Sequence, residues 1–221
     1  MPDLVTTLYY LLAIVISITF HEFSHAFVAN ELGDPTAKYM GRLSLNPIVH
    51  FDPLGALMIV FMAFGGRGLG WGRPVPYNPN NLRNGPIIGG AVVSIAGPVS
   101  NLLMASVVAI PLRLANMGIL PSTLWESSTG MFLQILFMVS ISLLIFNLLP
   151  IPPLDGYAFW LGVLYRIPTR ITREIWVTLS GGILQQYGPM LLLVLVFWGG
   201  GILSRILNPA FTFFARLLIG I

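Results

Sequence analysis

"LVTTLYYLLAIVISITFHEFSHAFVAN", residues 4–30, is the stretch on which the fold turns. It is apolar for most of its length and long enough to cross the roughly 30 Å hydrocarbon layer with some tilt. Gly33 and Pro35 in "ELGDP" supply its stop. Its second half nevertheless carries His21, Glu22 and His25 within five positions. An unpaired acid at the middle of a spanning helix costs about 2.5–3.5 kcal/mol or more. Three ionisable groups on adjoining turns therefore need a chemical reason.

The rest of the chain fits a membrane setting. Of 221 residues, 56% are hydrophobic and only 9% are charged, whereas a soluble domain carries about a quarter charged residues. There is no cysteine. Disulfides, iron–sulfur clusters and cysteine-ligated zinc are thus excluded, and any metal must be held by histidine and carboxylate. The net charge of +3 reads as a topology signal, not as affinity for nucleic acid. The N-terminus, "MPDL", has no basic residue and leads into too long an apolar run for a signal peptide, so the first helix is expected to be retained.

Further along, Gly85 to about Leu114 and Met131 to Leu149 are two more spanning runs, and Gln186 to Leu207 is a last one with an amphipathic tail. Leu54–Phe64 is apolar but too short to cross, which suits a re-entrant segment. "LSLNPIVHFDP" before it reads as strand or loop, and the glycine- and proline-rich "GGRGLGWGRPVPYNPNN" after it cannot be regular helix. A short apolar piece, Tyr157–Tyr165, precedes the basic loop "RIPTRITRE". The expected fold is an all-α polytopic membrane protein. It is a bundle of about four to six transmembrane or partly inserted helices, with a small re-entrant, β-like insertion after the first. One domain spans 1–221, with a catalytic core of about 4–165 and C-terminal helices of about 174–221. Joining the helices in alternation puts Lys38, Arg42, Arg67, Arg73, Arg83, Arg166, Arg170 and Arg173 on one side, eight of the eleven basic residues. The positive-inside rule makes that side cytoplasmic.

"HEFSH" carries the chemistry. On a helix, positions i and i+4 lie one turn apart on the same face, so the imidazoles of His21 and His25 can reach one zinc ion. Glu22 stands beside the first ligand, as a general base must. With 3 His and 4 Glu among 221 residues, a chance match is on the order of one in a thousand. The competing explanation is a pair of core histidines bonded to backbone carbonyls. A catalytic zinc also needs a third ligand, and Asp155 in "PIPPLDG" is the candidate. It follows a long apolar helix and a proline-rich break, and irregular backbone at membrane depth survives only beside protein or a wet cavity. The alternative for Asp155 is to cap a helix starting near Tyr157. His50 is either a structural histidine or a fourth ligand.

The chain resembles the site-2 protease family of intramembrane zinc metalloproteases, in its small prokaryotic form. The resemblance rests on "HEFSH", on "AGPVSN" at 96–101 and on "NLLPIPPLDG" at 147–156, and "GRLSLNPIVHFDPLG" and "GWGRPVPYNP" are also similar. It covers about residues 8–160. It implies one zinc per chain on His21, His25 and Asp155, with Glu22 as general base. It also implies support of the site from Asn147, as an oxyanion donor or else through a helix–helix hydrogen bond. The implied substrate is the transmembrane segment of another membrane protein, which must unwind locally and has usually been cut once already outside. The implied setting is a prokaryotic cell membrane, with the site open to the cytoplasmic side. Arg73, where small members usually have lysine, and Tyr157, where glycine or serine is frequent, depart from the pattern near the substrate groove. "GGRGLGWG" is not a phosphate-binding loop, lacking both G-x-G-x-x-G and G-K-[ST]. Its Gly68 and Gly70 instead suit close approach of an unwound substrate strand. The rival reading is a zinc-binding membrane protein without proteolysis, a transporter or an inactive regulator, in which Glu22 has no task.

Overall fold

A computed structural model describes residues 3–64, 70–167 and 169–221. Helix α1 (Leu4–Glu31) opens the chain, capped by Asp3, whose carboxylate accepts a 2.8 Å hydrogen bond from the Thr6 amide. It ends at Leu32 and Gly33, the latter at φ +106°, a conformation that glycine tolerates. A single turn, α2 (Thr36–Tyr39), and a 3₁₀ turn over Pro47–His50 follow. The short apolar α3 (Pro53–Ala63) starts on Asp52, whose side chain accepts from the amides of Leu54 and Gly55, with Pro53 in the first turn.

Two long helices carry the bundle: α4 (Gly85–Asn116) and α5 (Ser128–Asn147). After them come α6 (Asp155–Arg166), α7 (Arg170–Ser180), α8 (Gly182–Phe197) and α9 (Gly200–Leu218). By length and apolarity α1, α4 and α5 can each span a membrane, and α7 with α8, bent by 67° at Gly181, can form a fourth, broken span. The protein is an integral membrane protein of helical architecture.

Two sequence expectations shift. The last span, expected as one helix over 186–207, is broken at Trp198–Gly199, where the glycines at 199–201 remove the backbone restraint that would carry the helix on. The β-like insertion is, among the described residues, one antiparallel bridge between Phe51 and Gly72. Residues 65–69, and with them Arg67 and Gly68, lie outside the described residues.

Helix α4 is the hub, packed on α1, α5 and α6. Its contacts use small residues: Ala13 on α1 and Ala105 and Ala109 on α4 are buried, as are Leu112 on α4 and Ile141 on α5. The Ser17 and Ser140 hydroxyls, 3.1 Å apart and fully buried, join α1 to α5. Small side chains let helix backbones approach, and a hydroxyl pair satisfies itself where there is no water. Leu8, Leu12, Leu103 and Val107 face outward instead, as lipid-facing positions should. Helix α9 closes on α5 through Phe211 against Phe137, edge to face at 6.2 Å.

Candidate active site

The reach of α1 across α4 brings the motif residues to the middle of the bundle. His21 and His25 are both 7% exposed, with rings edge to face and centroids 4.7 Å apart. Asp155, the first residue of α6, turns one carboxylate oxygen to both of them. Its Oδ2 lies 2.9 Å from His21 Nε2 and 3.2 Å from His25 Nε2. The helix cap position falls to Leu154, whose side chain makes no cap bond, so Asp155 faces the histidines and does not cap α6. One donor atom from each of the three residues lies within 4.8 Å of the others. Zinc bonds of about 2.05 Å in a tetrahedron put neighbouring ligands about 3.3 Å apart, close to these spacings.

The nitrogen on the far side of each ring decides whether Nε2 is free for a metal. His25 Nδ1 is 2.7 Å from the Val93 carbonyl. A carbonyl only accepts, so Nδ1 holds the proton and Nε2 keeps its lone pair. His21 Nδ1 is 3.0 Å from the side-chain amide of Asn101. Asn101 is fully buried, and its Oδ1 has no partner when the amide nitrogen faces the ring. Turning the amide over lets His21 Nδ1–H donate to that oxygen and leaves His21 Nε2 unprotonated with its lone pair free, the state a metal ligand needs. A cradle for the ion is present as well. Gly97, one turn before Asn101 on α4, lies so close beneath the imidazoles that a Cβ would sit 2.4 Å from His25 Nε2 and 2.6 Å from His21 Nε2. The donor set, its supports and the space beside it fit zinc.

These groups open into a cavity of about 450 Å³ that Glu22 and Asn147 also line. Asn147 donates to the Leu143 carbonyl on its own helix at 3.0 Å. Phe23 and Phe27 stack together, and Phe27 is exposed on the side of α1 turned away from the ligands. His50 is not among the converging groups. It is fully buried, with Nε2 2.6 Å from the Ser44 carbonyl.

The segment from Gly70 to Tyr77 forms the opposite wall. The Arg73 amide donates to the His50 carbonyl at 2.7 Å, and the buried Arg42 guanidinium donates to the Arg73 carbonyl. Asp34, also fully buried, accepts from the Asn78 amide at 2.7 Å, from the Asn81 side chain at 2.8 Å and from the Thr36 hydroxyl at 2.7 Å. Burial alone would raise the Asp34 pKa, but the bonds from Thr36, Asn81 and Asn78 outweigh it and hold the carboxyl below its ordinary range. Asn101, Gly97, Arg42 and Asp34 were not singled out as site residues by the sequence. The first two stand four apart within "AGPVSN", the spacing of one helix face.

Known proteins place the chain in a family. Residues 106–195 match the sequence profile of peptidase family M50. A Bacillus subtilis protein named "Putative zinc metalloprotease YwhC" is 43% identical over 158 residues, 71% of this chain and 67% of that one. Proteins named "Putative zinc metalloprotease Rip2" are 34% identical in Mycobacterium tuberculosis and 30% identical in Mycolicibacterium smegmatis. Each of these matches covers 146 residues, 65% of this chain, but 52% of the mycobacterial relative, so the chain spans about half their length. No solved structure matches. On the match to the Bacillus protein along two thirds of that relative, together with the family profile, the chain belongs to peptidase family M50, the site-2 protease family.

Proposed function

We propose that the protein is an intramembrane zinc endopeptidase that hydrolyses peptide bonds within transmembrane segments of other membrane proteins, with residues 1–221 acting as one membrane-embedded unit. The observation that carries this reading is the meeting of His21, His25 and Asp155 at one edge of a cavity that also holds Glu22. His21, His25 and Asp155 would hold the zinc, which would supply Lewis acidity to the scissile carbonyl and the attacking water. Glu22 would take a proton from the water as its oxygen adds to the carbonyl carbon and pass it to the leaving amine as the C–N bond breaks. Asn147, on the cavity wall, can turn its amide from Leu143 towards the developing oxyanion.

Depth supports a substrate drawn from the membrane. His21 precedes the end of α1 at Glu31 by about 15 Å of helix, about half the hydrocarbon thickness. A helix at that depth hides its amides in its own hydrogen bonds, so the substrate must be extended before it can react. The 70–77 wall, held by Arg42 and Asp34, is an extended surface for that purpose. By the charge asymmetry of the loops, water enters from the cytoplasmic side of a prokaryotic cell membrane.

The test is cleavage of a panel of transmembrane reporters by the purified full chain, set beside Glu22→Gln with zinc content measured on both. The reading expects Glu22→Gln to keep one zinc and lose cleavage. A wild type that holds zinc and cuts no reporter would favour a non-proteolytic zinc protein.

A further inference from the structure

A second concavity, of about 660 Å³, lies in the outer seam between α4 and α6 and shares no lining residue with the catalytic cavity. The two helices run in opposite directions there and pack against each other, with Gly162 facing Ala91. A Cβ on Gly162 would sit 2.3 Å from the Ala91 Cβ. Larger residues on either side of that contact form apolar walls: Ile88 and Val92 from α4, Phe159 and Val163 from α6. At one end stand Arg83 and Arg166, both exposed. Among the described residues neither guanidinium has an ion-pair or hydrogen-bond partner, and the lining holds no carboxylate.

We infer that this seam binds an anionic phospholipid, with the phosphodiester between Arg83 and Arg166 and one acyl chain along the apolar walls. Three properties select this occupant. The first is charge: two unpaired cations and no acid favour an anionic headgroup, and guanidinium forks suit phosphate oxygens. A zwitterionic lipid would bring an ammonium that finds no partner. The second is position. The arginines lie at the end of the bundle where the basic residues gather, and basic pockets between spanning helices on that side suit anionic headgroups. The third is length. From its start at Gly85, just after Arg83, to Ile95, the last lining residue on α4, the helix rises about 15 Å, one leaflet of a roughly 30 Å core. A soluble phosphate would use the arginines but leave the walls unfilled.

The experiment uses the full chain in phosphatidylcholine nanodiscs doped with a little phosphatidylglycerol bearing a photoreactive acyl chain. Crosslinked peptides are mapped by mass spectrometry. Labelling should concentrate on α4 and α6 around Val92 and Val163. Each cation near an anionic surface is worth about fivefold, so the Arg83→Gln, Arg166→Gln double variant should lose labelling by roughly twenty-five-fold, and the double lysine variant should keep most of it. Thermal unfolding of each variant in pure phosphatidylcholine discs checks the fold, which exposed positions should leave unchanged. A phosphatidylcholine probe should label the seam weakly, and excess glycerol phosphate should not compete. Equal labelling by both lipids, no loss in the glutamine variant, or competition by glycerol phosphate would each overturn the site. Displacement of the probe by a substrate transmembrane peptide would assign the seam to the substrate instead.

Discussion

Gly97 on α4 stands beneath His25 on α1 so closely that one methyl group would lie 2.4 Å from the imidazole Nε2. The same methyl would be 2.6 Å from His21 Nε2, so it would fill the space where the two ring nitrogens point. Real Cβ contacts do not fall this short, and α4 cannot retreat without opening its packing on α1. Gly97→Ala should therefore cut zinc content by at least tenfold while the protein still inserts. Elemental analysis of chelator-free protein measures this. Full zinc occupancy in that variant would show that the ligands meet elsewhere.

Asn101 should act as an acceptor for His21. Supporting groups behind a metal-bound histidine typically contribute about 10–100-fold in affinity. Asn101→Leu should lose that much in competition with a chelator, whereas Asn101→Asp, which offers only acceptors, should bind nearly as well as wild type. If Asn101 were a donor, the order of the two variants would reverse.

Gly72 allows the proposed roles of Glu22 and of the metal to be separated experimentally. A Cβ there would lie 3.1 Å from Glu22 Oε1 and 3.0 Å from an Ile18 methyl. A valine must push the carboxylate aside. Misplacing a reacting group by about 1 Å costs about a hundredfold, so Gly72→Val should lower kcat by that order with zinc content unchanged. Loss of zinc would mean that the variant disturbs the ligands as well.

Asp34 should make stability depend on acid pH. Its pKa is held below the ordinary value of 3.8, so its contribution is complete above that value and falls away as pH drops below it. Asp34→Ala removes the charged acceptor of the bonds from Asn78, Asn81 and Thr36 and should cost about 2 kcal/mol at neutral pH. Thermal unfolding in detergent should show this gap narrowing below about pH 4. A gap that stays constant to lower pH would remove the carboxylate from the account.

The sequence resolved the parts of this molecule that local pattern governs. The apolar runs located α1, α4 and α5 to within a few residues, because a lipid solvent demands long unbroken helices. His21 and His25 were readable as a pair because one helical turn relates them. Asp155 was readable because its proline-rich approach is out of place at membrane depth. Asn101 and Gly97 were not, since their meaning depends on the register of α4 against α1, which no local pattern encodes. Arg42 and Asp34 looked like ordinary loop charges until the 70–81 segment came to rest on them. The break at Trp198–Gly199 was hidden by hydropathy, which is blind to the backbone freedom of successive glycines.

The separation of Asp155 from His21 by 134 positions also bears on biosynthesis. While the ribosome is still making α4 and α5, His21 and His25 stand one turn apart on α1 without the carboxylate of Asp155 beside them. The three donor groups meet only after α6 has folded back against α4. On the proposed reading the donor set is therefore completed late, and a half-made chain lacks the site proposed to cut other membrane proteins.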